Sequence, residues 1–279
     1  MTYSDPMDVC RPCRLPSKVL PPSDLAPVAR LADRVRSPNF LEGLGEVLGA
    51  YAPGISYAVM HFPGVGRPTV LAHNLSAVLD RRVLLPYVER MYLLDPFHQH
   101  WQSQAAPGVW WLEELAPAGF RETEYFATYY RNLGLEREAA AFFSLGEGDG
   151  ITMSFGASGA LEEGADHVTL MAQVAYLFPL LESLVRQFWL VSSLHLPREE
   201  QTPSLLASFG QDRLSERERE TAWLILRGHT SPEIASKMGI STGTVKNHRK
   251  RLYAKLNISS QAELFRQFML FQHQSDGRA

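Results

Sequence analysis

The sequence predicts an α+β chain built of two unlike parts. The first is an N-terminal α-β-α sandwich around an antiparallel sheet, and the second is a C-terminal all-α bundle of four short helices. Three observations predict this. Two pairs of β-branched and aromatic segments are each joined by a Gly-rich turn; helical patterns stand before, between and after those pairs; and from Leu214 onward helix starts recur at short spacing with no strand between them. At 279 residues and 45% hydrophobic content, the chain is long enough for roughly two domains with a core each.

Taken in order, Asp24 to Arg36 and Asn39 to Tyr51 are amphipathic helical patterns, each introduced by an Asp or Asn cap candidate. Ser56 to Phe62 and Thr69 to His73 read as strands of a hairpin across Pro63-Gly64-Val65-Gly66. A longer helix is expected over Ala77 to Leu94, then an irregular aromatic stretch from Asp95 to Leu115, then a helix at Glu122 to Leu133. Ala139 to Leu145 and Ile151 to Ala157 form a second hairpin around a turn with three glycines, and a long helix from Ala165 to about His195 closes the first part. This order is similar to a GAF- or PAS-like sandwich, a fold that commonly encloses a small cavity. The expected organisation is a disordered tail at 1–22, a sensor-type domain at 23–195, a polar linker at 196–213 and the bundle at 214–273.

Charge is segregated. The formal net charge is −3, yet Lys237 to Leu256 holds Lys237, Lys246, Arg249, Lys250, Arg251 and Lys255 with no carboxylate, so this stretch carries +6 and the remainder −9. A local face that meets a polyanion explains such a distribution. Lysine is otherwise scarce: none occurs between Lys18 and Lys237, which excludes a P-loop, a Schiff-base enzyme and a phosphoreceiver from the first part. Met91-Tyr-Leu-Leu-Asp95-Pro96 has the look of a phosphoacceptor strand but lacks that lysine and an early acidic pair. The N-terminal twenty residues are polar and Pro-rich without a signal-peptide core, and Val168 to Leu196 is interrupted by Gln173, Pro179, Glu182, Arg186 and Gln187. A cytoplasmic protein with no membrane association is expected. Cys10 and Cys13 supply only half of a zinc ligand set and read as part of the tail.

In the bundle, Ser215-x-x-Glu218, Thr230-x-x-Glu233 and Ser260-x-x-Glu263 are capping boxes, Ser241 caps the remaining helix, and Gly228 and Gly239 fall where helices end. Placing Thr242 to Leu256 at 100° intervals puts Val245, Leu252 and Leu256 on one face. Lys246, Asn247, Lys250 and Arg251 lie opposite, free to enter a groove of double-stranded DNA. Lysine can donate to guanine and asparagine can pair bidentately with adenine, whereas Ser241, Thr242, Thr244, Arg249 and Lys255 lie where phosphates would be positioned.

Leu214-Ser-Glu-Arg-Glu218, Glu233-Ile-Ala235, Gly239-Ile-Ser241 and Thr244-Val-Lys-Asn-His-Arg249, with Leu252 and Lys255-Leu256, resemble the LuxR-type helix-turn-helix over about 55 residues. The resemblance implies a transcriptional regulator that binds promoter DNA as a homodimer on a two-fold-symmetric site, with RNA polymerase among its expected partners. It also implies that the last helix, Gln261 to Gln272, makes a dimer contact through Ala262, Phe265, Phe268, Met269 and Leu270.

Asp95-Pro96 followed by Trp110-Trp111, with Tyr87 nearby, resembles the ligand site of acyl-homoserine-lactone receptors. By that resemblance Asp95 accepts a ligand N–H, an indole N–H donates to a carbonyl, and Tyr57, Tyr87, Trp110, Trp111, Phe126 and Tyr129 wall the apolar part. The implied effector is a small organic molecule, with a quorum-sensing signal as one form. The chain departs from those receptors at Arg81-Arg82, where they carry another tryptophan, and in the register of Tyr87. The alternative reading is a ligand-independent DNA-binding protein whose first domain docks a protein partner. His98-x-His100 near Glu113 and Glu114 is read as rim or surface and not as a metal site. No catalytic elbow, phosphate loop or zinc motif occurs, so no enzyme activity and no cofactor are expected.

Overall fold

Three layers make up the N-terminal part of the computed structural model, which describes residues 24–64, 66–103, 106–134, 137–146, 148–157, 167–192 and 208–276. The expected tail, with Cys10 and Cys13, and the linker up to residue 207 lie outside the described residues.

The middle layer is a five-stranded antiparallel sheet of β1 (Ser56–Phe62), β2 (Thr69–His73), β3 (Gly108–Trp111), β4 (Arg137–Gly146) and β5 (Asp149–Ala157) in the order β2-β1-β5-β4-β3. Both expected hairpins form, and the β1–β5 pairing, Ser56 opposite Gly156 through Phe62 opposite Gly150, joins them. Strand alternation divides the side chains cleanly. Val59, Ala139, Ala141, Phe143, Ile151, Met153 and Phe155 point to one face, where they pack with α1 (Ala26–Asp33), α2 (Phe40–Tyr51) and α4 (His167–Val191). Met60, Phe62, Ala140 and Phe142 point to the other, beneath the aromatic segments between β2 and β4.

Three expectations need correction. Asp95 to Leu115 is not irregular: it holds helix α3 (Pro96–Gln102), the edge strand β3 and a short helix at Leu112–Leu115. Asp95 is the N-cap of α3, its carboxylate accepting from the Phe97 N–H, and Pro96 sits in the first turn, where no donor is needed. Ala77 to Leu94 is not one regular helix but passes through a π turn at Asp80–Leu84 and a 3₁₀ turn at Met91–Leu94. The π turn lies just before Pro86, whose ring would clash with the Arg82 carbonyl in a regular helix. The Glu122 to Leu133 segment likewise widens into a π turn at Phe126–Tyr130, where the Arg131 N–H donates to the Phe126 carbonyl.

Among the described residues, α4 is long and apolar enough by length and composition to cross a membrane, with mean hydropathy 1.6 over Val168–Val191; the polar interruptions seen in the sequence are too few to lower it. In the fold α4 packs against the core along part of its surface, while Tyr176, Leu180, Leu190 and Val191 are exposed. Leu170, Val174, Leu177, Leu181, Val185 and Phe188 are buried against the sheet and α2, each large aliphatic contributing about 1.5–3 kcal/mol by removal from water.

The C-terminal part contains α5 (Glu216–Leu226), α6 (Ser231–Met238), α7 (Thr242–Leu256) and α8 (Gln261–Asp276). Gly239 at φ 64° ends α6 in the left-handed conformation that only glycine adopts cheaply, and Ser241 opens α7 two residues later. The bundle touches the sandwich by backbone. A Cβ on Gly119 would meet the Gly228 carbonyl oxygen at 2.7 Å, and one on Gly228 would meet Phe120 Cα at 2.7 Å. The Ala118 N–H also donates to Glu233 Oε1 at 3.3 Å.

Candidate nucleic-acid interface and ligand cavity

Local chemistry fixes the bundle before packing does. Ser215 and Glu218 cap reciprocally, the Ser215 N–H donating to Glu218 Oε2 at 2.8 Å, and the Thr230 N–H donates to Glu233 Oε2 at 2.7 Å. At α8 the pattern shifts by one residue: Ser260 Oγ accepts from the Glu263 N–H, while Glu263 reaches the Ser259 N–H. Ser241 Oγ accepts from the Thr244 N–H at 3.1 Å and shares a hydrogen bond with the Thr244 hydroxyl.

Helix α7 buries Val245, Leu252 and Leu256 and leaves Lys246, Asn247, Lys250 and Arg251 exposed together. Ser241 and Thr242 are exposed at its N-terminus, where unpaired backbone N–H groups favour an anion. Two cations assigned to phosphate from the sequence have protein partners. Lys255 Nζ lies 2.7 Å from Glu218 Oε2, and the Arg249 guanidinium sits 5.3 Å from the Tyr253 ring centroid. Arg249 also borders a cleft of about 300 Å³ shared with Ala118, Gly119 and Glu122 of the sandwich. On α8, Phe268 is fully buried within its own bundle, 4.9 Å from Trp223 and 5.5 Å from Phe209 by ring centroids, so it is not part of an exposed apolar patch. Leu270 is exposed.

The cavity lies on the other side of the sheet from α4. Tyr87, Asp95 and Tyr129 line it, together with residues that the sequence did not single out: Tyr130, Glu138, Thr152 and Ser154. Asp95 is 3% exposed; its Oδ2 accepts from the Tyr87 hydroxyl at 2.5 Å, and its Oδ1 from the Phe97 N–H at 3.1 Å and the Tyr130 hydroxyl at 3.3 Å. Burial pushes Asp95 up to about 6 despite these donors, and burial followed by repulsion from Asp95 pushes Glu138 up to about 8. Burial also raises Tyr87, Tyr125, Tyr129 and Tyr130, so all four hydroxyls stay protonated. His98 is held down at about 3 and is neutral. The π turn at Phe126–Tyr130 places Tyr129 and Tyr130 in the cavity wall beside Tyr125, with which Tyr129 stacks at 5.4 Å.

The other aromatic residues expected at the site do not line this cavity, although Tyr57 borders a second space that adjoins it. Trp110 and Trp111 are consecutive on β3 and therefore face opposite ways: Trp110 packs on His100 at 4.7 Å, its indole N–H buried without a partner, and Trp111 lies under the Arg137 guanidinium at 4.2 Å. The Tyr57 ring rests against Gly45 of α2, where a Cβ would be 1.9 Å from it. Phe126 packs on Phe120 at 5.6 Å and on Tyr130 at 5.6 Å. Among the described residues no cluster of His, Cys, Asp or Glu suits a metal, and His98 and His100 sit on a helix.

Residues 212–268 match the family described as bacterial regulatory proteins, luxR family. An HTH-type transcriptional regulator in the exeN 3′ region of Aeromonas salmonicida is 35% identical over 185 residues, covering 63% of this chain and 93% of that protein. The chain belongs to the LuxR family of DNA-binding transcriptional regulators. The transcriptional regulatory protein MctR of Rhizobium johnstonii is 44% identical over 57 residues, 20% of this chain and 27% of its own length. The VqsR LBD domain of Pseudomonas aeruginosa superposes on 60% of this chain and 96% of that chain with a TM-score of 0.51 at 21% identity, a likeness of fold.

Proposed function

We propose that this regulator acts in the cytoplasm as a dimer that reads promoter DNA through Lys246, Asn247, Lys250 and Arg251 of α7, and that a small organic molecule in the Asp95 cavity adjusts how the two bundles are presented. The observation that carries the DNA-reading half is the exposure of these four side chains on one face of a helix without carboxylates. The sensing half is supported by a buried, hydroxyl-rich cavity and by a short route out of it. Tyr130 donates to Asp95 and packs on Phe120 at 5.4 Å, and the Phe120 backbone abuts Gly228 at the end of α5. A ligand that moves Tyr130 would thus bear on the bundle, provided it binds the two arrangements with different affinity.

Lys250→Ala tests the DNA-reading half. Specific affinity should fall by about 1–3 kcal/mol in a footprinting titration while a steep salt dependence persists from the phosphate contacts; unchanged binding would remove α7 as the reading helix. A thermal-shift screen tests the sensing half, and Asp95→Ala should abolish any ligand-induced shift. A second reading, in which the sandwich docks a protein partner without a ligand, is favoured by the small free volume of the cavity, about 10 Å³, or about one water. A broad screen without a single stabilising compound would select it.

A further inference from the structure

The donors and acceptors around the cavity do not balance. Asp95 takes hydrogen bonds from the hydroxyls of Tyr87 and Tyr130 and from the backbone N–H groups of Phe97 and His98. Glu138, on β4, is only 7% exposed; the hydroxyls of Tyr130 and Ser154 approach it, yet its Oε2 has no partner, and neither does Thr152 Oγ1 beside it. Tyr130 carries one proton and faces both carboxyls, so it cannot satisfy both when both are ionised. Among the described residues, no lysine, arginine or histidine lines the space. Arg137, the neighbour of Glu138 in β4, points to the opposite face and is occupied by Trp111.

Position adds to this. Glu138, Met60, Tyr129 and Ser154 border both the inner cavity and a second one that leads past Leu84 and Leu133. A molecule passing from the second space to the first meets Glu138 before Asp95.

We propose that Glu138 is the recognition residue for a cationic nitrogen, so that the effector carries a protonated amine or a related N–H-rich cation whose head sits between Glu138 and Asp95. This rests on the reading of the cavity as a small-molecule site. A carboxylate pair in a low-dielectric space is costly when nothing positive is near, and a bound cation relieves that cost while supplying the donors that Glu138 and Thr152 lack. Burial and the raised affinity of both carboxyls for protons are consistent with a site that takes a positive charge from outside.

The test uses full-length protein and a matched pair of probes, 2-phenylethylamine and 2-phenylethanol, which differ mainly in their head group. In titration calorimetry and thermal shift, the wild type should prefer the amine by about tenfold or more, and the isosteric Glu138→Gln should bring that preference close to one. Equal or better binding of the alcohol, a preference that survives in Glu138→Gln, or no binding of the amine would each overturn the proposal. The wild-type comparison needs no mutant to fold. A parallel screen of neutral and anionic compounds separates the two readings: a hit there with no amine binding removes the cationic class and leaves a small-molecule sensor, whereas no hit of any kind removes both.

Discussion

At the scale of single residues, Glu138 carries the sharpest pH consequence. Its carboxyl is pushed up to about 8 and that of Asp95 to about 6, so the folded chain keeps protons that the unfolded chain has already lost. Stability is then greatest below pH 4 and falls as pH rises through about 8, a contribution on the order of a few kcal/mol. Of the groups that face Glu138, Asp95 and Glu113 add to this direction, the hydroxyls of Tyr130 and Ser154 oppose it without reversing it, and His98 is neutral. Melting temperature measured from pH 4.5 to 8 should decline for the wild type and decline less for Glu138→Gln; parallel slopes would show that Glu138 ionises freely. The sequence placed Asp95, Tyr87 and Tyr129 together from their resemblance to a receptor site. Glu138 escaped because the strand was read as starting at Ala139, one residue too late for the alternation that aligns Glu138 with Ala140 and Phe142 to be visible.

At the scale of elements, α7 is built by its ends. Ser241→Ala removes the side-chain acceptor of its first turn and should cost about 1 kcal/mol of bundle stability by thermal or urea unfolding. Asn257 ends the helix at φ 54°, so Asn257→Gly should be neutral or slightly stabilising where Asn257→Val is costly. Lys255→Ala should lower stability by up to about 1 kcal/mol through the lost Glu218 pair, with little effect on sequence preference. The bundle was legible because all four helix starts, and the stops at Gly228 and Gly239, are written in local chemistry. The segment between the hairpins was not. β3 is four residues long at a sheet edge, and Asp95-Pro96 reads equally as the end of one helix or the cap of the next; only tertiary packing decides.

At the scale of the whole molecule, the contact between Gly119 and Gly228 is one place where sandwich and bundle meet. Gly228 adopts φ 88° and would be strained by any side chain, but Gly119 has an ordinary φ of −94°, which makes Gly119→Ala the cleaner probe. The added methyl cannot sit 2.7 Å from the Gly228 carbonyl oxygen, so the two parts should separate there at a cost of about 1–3 kcal/mol. Hydrogen exchange should then rise at Gly228 to Ile234 and not in the sheet, and DNA binding should lose its dependence on any ligand found. A variant with unchanged exchange at those amides would place the coupling elsewhere. Neither glycine announces this in the sequence, since Gly228 reads as a helix stop and Gly119 as part of a loop.

The absence of lysine from the sandwich gives the molecule a chemical asymmetry that an experimenter can use. Between Lys18 and Lys237 there is no side-chain amine, while Lys237, Lys246 and Lys250 stand exposed on the bundle. An acylating reagent therefore marks lysines of the bundle and none of the sandwich, and on the proposed reading of α7 the rate at which Lys246 and Lys250 are acylated gauges promoter occupancy, free of lysine background from the sandwich.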